Sequence, residues 1–178
     1  LCISVNGKSQ TTYFNNGYDV AGPGYWDGAT SVLETDSGYI ISGELGSFGV
    51  DRSIALLFID KQGIEFGKKS YGVPGLAFYG GVSGALTKTY DGGFALGGGV
   101  DISPGIAQGM LWKFDANGDT LWTNWFGSTT QYFETFYQCK QTPDSGFILI
   151  GATDKPDSGG NTDIWLVKTD KNGNFEWE

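Results

Sequence analysis

Hydrophobic and polar residues alternate in short segments along this chain, and each segment ends at a polar turn rich in Asp and Gly. In the middle of the chain these segments span residues 83–88, 94–97, 109–114 and 120–126. Short segments bounded by such turns are typical of β-strands. Asp and Asn bond to their own backbone and Gly accepts a positive φ, which favours tight hairpins. The pattern predicts an all-β fold built from four-stranded antiparallel units.

Two kinds of turn recur in a fixed order, three times. The first kind carries an Asp followed closely by Gly, at Asp36, Asp91 and Asp144. The second places Asp three residues before Gly, with 55 residues between copies, at Asp60, Asp115 and Asp170. A period of this length indicates a repeat architecture. The sequence therefore predicts three repeats, at residues 29–72, 83–127 and 136–178.

The repeats also share apolar positions. An aromatic residue stands three positions after the first Asp, at Tyr39, Phe94 and Phe147, and a Leu stands four positions before the second, at Leu56, Leu111 and Leu166. Residues 54–59 are apolar on both faces, as in a strand buried between two stacked sheets. Four-stranded sheets stacked at a regular period are the blades of a β-propeller. We therefore predict three blades with these Leu residues buried at matching positions.

A Trp follows the second turn in two of the three repeats, in the pattern Asp-x-x-Gly-x-x-x-Trp. The two copies are Asp115, Gly118 and Trp122, and then Asp170, Gly173 and Trp177. The pattern resembles the tryptophan-docking turn of quinoprotein-type propellers. The first repeat departs from it, because Gly67 stands at the position of Trp122 and Phe66 comes one residue earlier.

Two longer runs strengthen the resemblance: Asp-Ser-Gly-Tyr-Ile-Ile-Ser-Gly at 36–43 and Asp-Ile-Trp-Leu-Val-Lys-Thr-Asp at 163–170. With them, residues 25–178 resemble the propeller repeats of large secreted proteins of the type IX secretion class. The resemblance implies a β-propeller fold. It brings no catalytic or quinone-binding residues, because docking turns are structural.

Three blades do not close a ring, since propellers typically have four to eight. We therefore expect further blades of the same chain beyond residue 178. Residues 10–28 precede the first repeat, and within them 11–18 have the character of a strand that completes the last blade and closes the ring. The predicted protein is thus a propeller fragment of three blades with an additional N-terminal strand.

The first nine residues have the pattern of an export signal. Residues 1–5 are mostly apolar, and small residues follow at Gly7 and Ser9. This favours the tail of a secretory signal peptide and a secreted or cell-surface protein. The alternative is an ordinary edge strand. If residues 1–9 are removed, Cys2 is lost and Cys139 is an unpaired thiol.

Composition narrows the classes of function. The chain has a net charge of −9, which disfavours binding to nucleic acid and to anionic lipid surfaces. It has no His, which removes Ser–His and Cys–His catalysis, and its 2 Cys are too few for a structural zinc site. No apolar run approaches the length of a membrane-spanning segment. We expect no membrane insertion and no cofactor.

The long, variable loops fall on one end of the predicted blades, and binding residues concentrate on such loops. A pair of aromatic residues recurs there, at Tyr25 and Trp26, Phe78 and Tyr79, and Tyr132 and Phe133, with Asp27 and Glu134 beside them. These eight residues are the predicted ligand-binding set, suited to stacking on sugars or gripping a peptide. The alternative is that the aromatic pairs pack blade against blade.

Two weaker sites come from acidic loop residues. Asp154, Asp157 and Asp163, with Asn161, offer oxygen ligands of the type that Ca²⁺ prefers, although the spacing matches no Ca²⁺ motif and a solvated polar loop is the alternative. Asp27, Asp51 and Glu134 are carboxylates of the type that glycosidases use in pairs. Because nothing in the sequence sets their separation, we expect no catalytic residues.

These observations favour a non-catalytic extracellular β-propeller repeat module that acts as a scaffold or binds a protein or a glycan. Two alternatives stay open. A carbohydrate-active propeller enzyme would need two facing carboxylates, and a quinone-dependent redox propeller would need a Ca²⁺ site and a cofactor pocket. The fold by itself cannot choose among them.

Overall fold

A computed structural model describes residues 16–23, 25–46, 52–82, 84–155 and 161–178. These residues form thirteen β-strands and no helix, so the all-β prediction is confirmed and the described chain has no helix able to span a membrane. The predicted signal segment 1–9, Cys2, Asp51 and Asp157 lie outside the described residues.

The strands form three antiparallel sheets, each four strands wide, as predicted. The first sheet contains β1 (Trp26–Glu34), β2 (Gly38–Gly46), β3 (Ser53–Asp60) and β4 (Glu65–Tyr71). The second contains β5 (Ala77–Gly80), β6 (Leu86–Lys88), β7 (Phe94–Ser103), β8 (Ile106–Phe114) and β9 (Thr120–Phe126), where β5 and β6 share one position beside β7. The third contains β10 (Glu134–Gln141), β11 (Phe147–Thr153), β12 (Asp163–Thr169) and β13 (Phe175–Trp177).

The second sheet differs from the sequence prediction at its loop end. Residues 98–107 do not form a long loop, because β7 and β8 continue their ladder to a two-residue turn at Pro104 and Gly105. This longer hairpin offers β5 a partner, so Phe78 and Tyr79 lie in a strand and not in a loop. The chain leaves the ladder after Gly80, where the N–H of Val82 donates to the carbonyl of Tyr137 in the third sheet.

The sheets stack face to face around two apolar cores. The core between the first and second sheets includes Ile54, Leu56, Phe78, Met110 and Trp112. The core between the second and third includes Leu111, Phe136, Phe147, Leu149 and Val167. β8 contributes to both cores, because neighbouring residues of a strand point to opposite faces. The second sheet is therefore buried on both sides.

The three predicted Leu positions do not share one environment. Leu56 and Leu111 are fully buried, but Leu166 is 40% exposed, so its predicted burial is wrong. This position faces the following sheet in the first and second sheets. In the described part of the chain no sheet follows the third, and Ile150 and Ile164 are exposed with Leu166.

The second turn of each unit has the same local geometry. The side chains of Asp60, Asp115 and Asp170 each accept the N–H groups of the residues two and four positions later, at 2.8 to 2.9 Å. The glycines three positions later, Gly63, Gly118 and Gly173, have φ near +80°. All these bonds lie within five residues of the chain, so the sequence alone determines this turn.

Each fourth strand contacts the hairpin of the next sheet. Asn124 of β9 donates to the carbonyl of Gly173 at 2.8 Å, and the ring of Trp122 lies beside the same glycine. Tyr71 of β4 donates its hydroxyl to the carbonyl of Gly118. The docking turn indicated by the sequence is therefore an inter-sheet contact.

The first sheet makes this contact with a different aromatic residue. Phe58 and Gly67 pair across β3 and β4, as Lys113 and Trp122 pair across β8 and β9. Phe58 fills the space over Gly118, where an added Cβ would stand 2.7 Å from its ring. The missing Trp at residue 67 is thus compensated from the neighbouring strand.

Residues 16–18 lie against the hairpin of the first sheet. Asn16 Nδ2 and the Tyr18 hydroxyl both donate to the carbonyl of Gly63, at 3.3 and 2.7 Å. The corresponding carbonyls in the second and third sheets receive a Tyr hydroxyl and an Asn amide from a preceding fourth strand. Residues 16–18 thus take at the first sheet the place that a fourth strand takes at the other two.

Candidate binding surface at the loop ends of the sheets

The candidate site lies at the end of the stack where β2 leads to β3 and β7 turns into β8. We call this end the loop face and define it by Glu44, Arg52, Tyr79, Asp101 and Phe133. Glu44 lies in β2 and Arg52 directly precedes β3 of the first sheet, Tyr79 and Asp101 come from the second sheet, and Phe133 directly precedes β10 of the third. The loop face therefore collects side chains from three sheets.

Tyr79 is the centre of this surface. Its ring stacks on Phe133, with centroids 6.4 Å apart and an interplanar angle of 9°. The Arg52 guanidinium carbon lies 5.8 Å from the centroid of the Tyr79 ring. The Tyr79 hydroxyl donates to Asp101 Oδ1 at 2.7 Å. Contacts on its ring and on its hydroxyl leave Tyr79 in one fixed orientation.

The electrostatics of the surface are those of a protonated Tyr and a paired carboxylate. Burial raises the pKa of Tyr79 well above its ordinary value, and its hydrogen bond to Asp101 raises it further, so Tyr79 acts as a donor. Glu44 is only 8% exposed, and burial raises its pKa against the opposing effect of Arg52. Arg52 Nη1 lies 3.1 Å from Glu44 Oε2. This salt bridge holds the guanidinium beside Tyr79.

Two clefts flank Phe133, whose ring is 39% exposed. One has a volume of about 200 Å³ and is bounded by Glu44, Tyr79, Thr135 and Tyr137. The other has a volume of about 300 Å³ and is bounded by Asp101, Ile102 and Pro104. An aromatic ring with a polar group in each neighbouring cleft is suited to hold a ligand that has both apolar and hydrogen-bonding parts.

The predicted aromatic pairs divide between surface and core. Phe78 is 1% exposed and packs against Trp112 and Trp125, at 5.8 and 6.1 Å between ring centroids. Successive residues of a strand point to opposite sides, so Phe78 and Tyr79 cannot both face a ligand. Phe78 is therefore a core residue, in agreement with the packing alternative.

Tyr25 and Trp26 lie at the start of β1 and are exposed, at 63% and 45%. The Trp26 ring folds over Gly28, which has no side chain to displace it. Asp27 Oδ2 accepts the N–H groups of Val20 and Ala21, at 2.8 and 3.3 Å. Asp27 Oδ1 is buried and has no hydrogen-bond partner among the described residues. Asp27 thus ties the N-terminal segment to β1.

Glu134 is buried in a group of charges at the third sheet and does not face solvent. It is fully buried and accepts the N–H of Ser128 at 2.5 Å. Lys155 Nζ lies 3.3 Å from Glu134 and 2.8 Å from Glu178. Burial opposes the charged form of Lys155, but the two carboxylates outweigh it and raise the pKa of Lys155. These charges hold the segment between β9 and β10 in place.

Tyr132 contributes to the site through its backbone conformation. It is half-buried, has a φ of 76°, and its carbonyl accepts the N–H of Ala107. A positive φ is uncommon for a residue with a large side chain, and here it turns the chain so that Phe133 reaches Tyr79.

The described residues of the two weaker acidic sites lie on or next to the first and third sheets. Asp154 Oδ1 accepts the N–H of Phe133 at 2.6 Å, and Asp163 is an exposed residue at the start of β12. The described residues contain no group of three or more metal-ligating side chains. Of the glycosidase candidates, Asp27 lies on the first sheet and Glu134 on the third.

Sequence reasoning missed Glu44, Arg52 and Asp101. Each is a charged residue at the end of a strand-like segment, and Glu44 directly follows the recurring Gly43. A charged residue at the end of a strand-like segment could have identified these three positions. Their contact with Tyr79 could not be predicted, because it depends on how the sheets stack.

No protein-family model matches the chain, and a search of curated proteins found no match.

Proposed function

We propose that this chain is a non-catalytic β-propeller repeat module of a secreted or cell-surface protein, and that its loop face binds a protein or glycan ligand. The Arg52–Tyr79–Phe133 contact is the observation that carries the binding part, because it joins three sheets in one rigid surface with a cleft on either side of Phe133. A preorganised surface loses less entropy when it binds than a mobile one does.

The equivalence of the inter-sheet contacts supports the propeller part. Gly118 and Gly173 receive their contacts from the preceding fourth strand in the same way, and the carbonyl of Gly63 receives them from residues 16–18. In this proposal the three sheets are successive blades, and residues 16–18 belong to the fourth strand of another blade. Leu166 and Ile164 then face a further blade of the same kind.

A direct test uses the full chain in an array of immobilised glycans and extracellular protein domains. Phe133→Ala should reduce binding to any ligand found by about tenfold, because an aromatic contact typically contributes about 0.5–1.5 kcal/mol beyond the area that it buries. The melting temperature should fall only slightly, since Phe133 is partly exposed.

Leu121→Ala is the matched control, because Leu121 is an exposed apolar residue at the hairpin end of β9. It should leave binding unchanged. If both substitutions weaken binding equally, or if Phe133→Ala lowers stability without changing the affinity, the aromatic residues of the loop face are packing residues and the binding part of the proposal is wrong.

A further inference from the structure

A separate cleft lies at the opposite end of the stack, between the hairpins of the first and second sheets. We call it the hairpin cleft. Its volume is about 420 Å³, and its first-sheet wall includes Asp36, Tyr39, Phe58 and Phe66. It shares no residue with the loop face. A ligand bound there would not contact the loop face.

The other two sheets fill the equivalent position with a Lys of their own. In the second sheet Lys113 Nζ lies 2.9 Å from Asp91 Oδ2, and in the third Lys168 Nζ lies 2.9 Å from Asp144 Oδ2. Both Lys side chains are buried, and both also donate to the carbonyl of the next residue at 2.8 Å. The turn carboxylate is thus neutralised from within its own sheet.

The first sheet has no such Lys. Phe58 occupies the position of Lys113, as the pairing of Phe58 with Gly67 shows. The Thr35 hydroxyl accepts the N–H of Gly38 at 3.1 Å, a role that the side chain of Asp91 has in the second sheet. Within the described part of the chain, Asp36 is left with neither a cation nor an N–H donor.

The surroundings of Asp36 favour a positively charged ligand. The rings of Phe58 and Phe66 lie 6.2 Å apart at 46°, and Phe66 is 60% exposed. A carboxylate beside aromatic rings attracts a cation through both its charge and the ring faces. Lys88 also lines the cleft, but it forms no salt bridge with Asp36 in the described part of the chain. The net charge of −9 attracts basic partners.

We propose that the hairpin cleft binds a Lys or Arg side chain of a partner protein. The partner supplies to Asp36 the positive charge that Lys113 and Lys168 supply to Asp91 and Asp144. The exposed ring of Phe66, which packs on the buried Phe58, lies against the aliphatic part of the bound side chain.

NMR titration of the full ¹⁵N-labelled chain tests the proposal. The probes are N-acetyl-lysine methylamide and N-acetyl-arginine methylamide, and the matched neutral probe is N-acetyl-norleucine methylamide. The cationic probes should produce saturable shifts of the Gly38, Gly92 and Gly93 amides, and the neutral probe should not. No saturable shift with either cationic probe, or equal shifts with all three, would overturn the proposal.

Asp36→Asn should weaken the binding of the cationic probes about tenfold, the usual effect of losing one charge-assisted hydrogen bond. Glu34→Gln is the matched control, because it removes an equal charge from an exposed neighbour on the same strand end. It should change the affinity less than twofold. Equal loss in the two variants means unspecific attraction to negative charge, and the proposal is then wrong.

A double substitution tests whether a Lys within the first sheet can take the place of the bound cation. Phe58→Lys combined with Gly67→Trp recreates in the first sheet the pair that Lys113 and Trp122 form in the second. The internal ammonium should abolish binding of the cationic probes. Retention of wild-type affinity in the folded double variant would contradict the proposal. If the double variant does not fold, the result for Asp36→Asn decides the proposal, because Asp36 is exposed and its substitution should not prevent folding.

Discussion

The indole of Trp122 lies so close to Gly173 of the neighbouring sheet that a Cβ atom at residue 173 would stand 2.6 Å from its Cζ3 atom. Gly173 also has a φ of +79°, and its carbonyl accepts the Asn124 amide at 2.8 Å. The glycine is therefore needed both for the turn and for the approach of the next sheet.

Gly173→Ala should lower the free energy of unfolding by about 2–4 kcal/mol, because it adds a steric clash to an unfavourable backbone conformation. Gly105→Ala is the matched control. Gly105 has a φ of +78° with no atom within 4 Å of an added Cβ, so it should lose only about 1 kcal/mol. Urea denaturation of both variants gives the comparison, and equal losses would mean that the Trp122 contact contributes nothing.

The equivalent residues Leu111 and Leu166 should respond very differently to the same change. Leu111→Ala creates a cavity between two sheets and should cost about 2–5 kcal/mol. Leu166→Ala should cost less than about 1 kcal/mol in the 178-residue chain, because its side chain is 40% exposed. Thermal denaturation of the two variants measures the difference. A large loss for Leu166→Ala would show that its face is covered in solution.

The stability of the second sheet should depend on pH through Asp91. Partial burial raises the pKa of Asp91, but its bonds with Thr89, Lys113 and Gly93 outweigh this and hold it at about 2, below the ordinary value of 3.8. The unfolded chain therefore binds a proton at a higher pH than the folded chain does. The contribution of Asp91 should be complete above about pH 4 and lost as the pH falls toward 2.

The difference in unfolding free energy between the wild type and Asp91→Asn, measured by urea denaturation over this pH range, checks the expectation. The difference should shrink as the pH falls. NMR titration of the carboxyl carbon gives the pKa directly, and Lys113→Met should move it upward. A wild-type Asp91 that titrates at its ordinary value would contradict the ion-pair geometry.

Cys139 should be an unreactive thiol in the folded protein. It is a free cysteine, fully buried, and its Sγ donates to the carbonyl of Ala85 at 3.1 Å. Burial raises its pKa to about 12, so the nucleophilic thiolate is scarce. Iodoacetamide at mildly alkaline pH should label it only after denaturation, as measured by mass spectrometry. Rapid labelling of the native chain, or a disulfide with Cys2, would contradict this.

Local chemistry explains what could be predicted from the sequence. The turn at Asp115 is closed by bonds within five residues, and an alternating strand needs only its own side chains to be recognised. The same holds for the three four-stranded units, because each is a succession of neighbouring hairpins. Such features are encoded by residues that are adjacent in the chain.

The candidate site depended on contacts that the repeat pattern does not contain. The aromatic pairs pointed to Tyr79 and Phe133, but strand alternation buries Phe78, and the long β7–β8 hairpin makes its segment a strand. Arg52 reaches Tyr79 because the first sheet stacks on the second. These positions follow from distances between separate sheets.

By itself, the sequence determined the three four-stranded units and their Asp-Gly turns, because bonds between near neighbours in the chain stabilise each of them. Only the tertiary structure decided which repeated residue is buried, since Leu111 has a sheet packed over it and Leu166 does not. It also decided that Phe58 takes the role of Trp122, and that Asp36 has no Lys of its own sheet beside it. Burial and pairing depend on which surfaces meet, and identical turns can stand on surfaces with different neighbours.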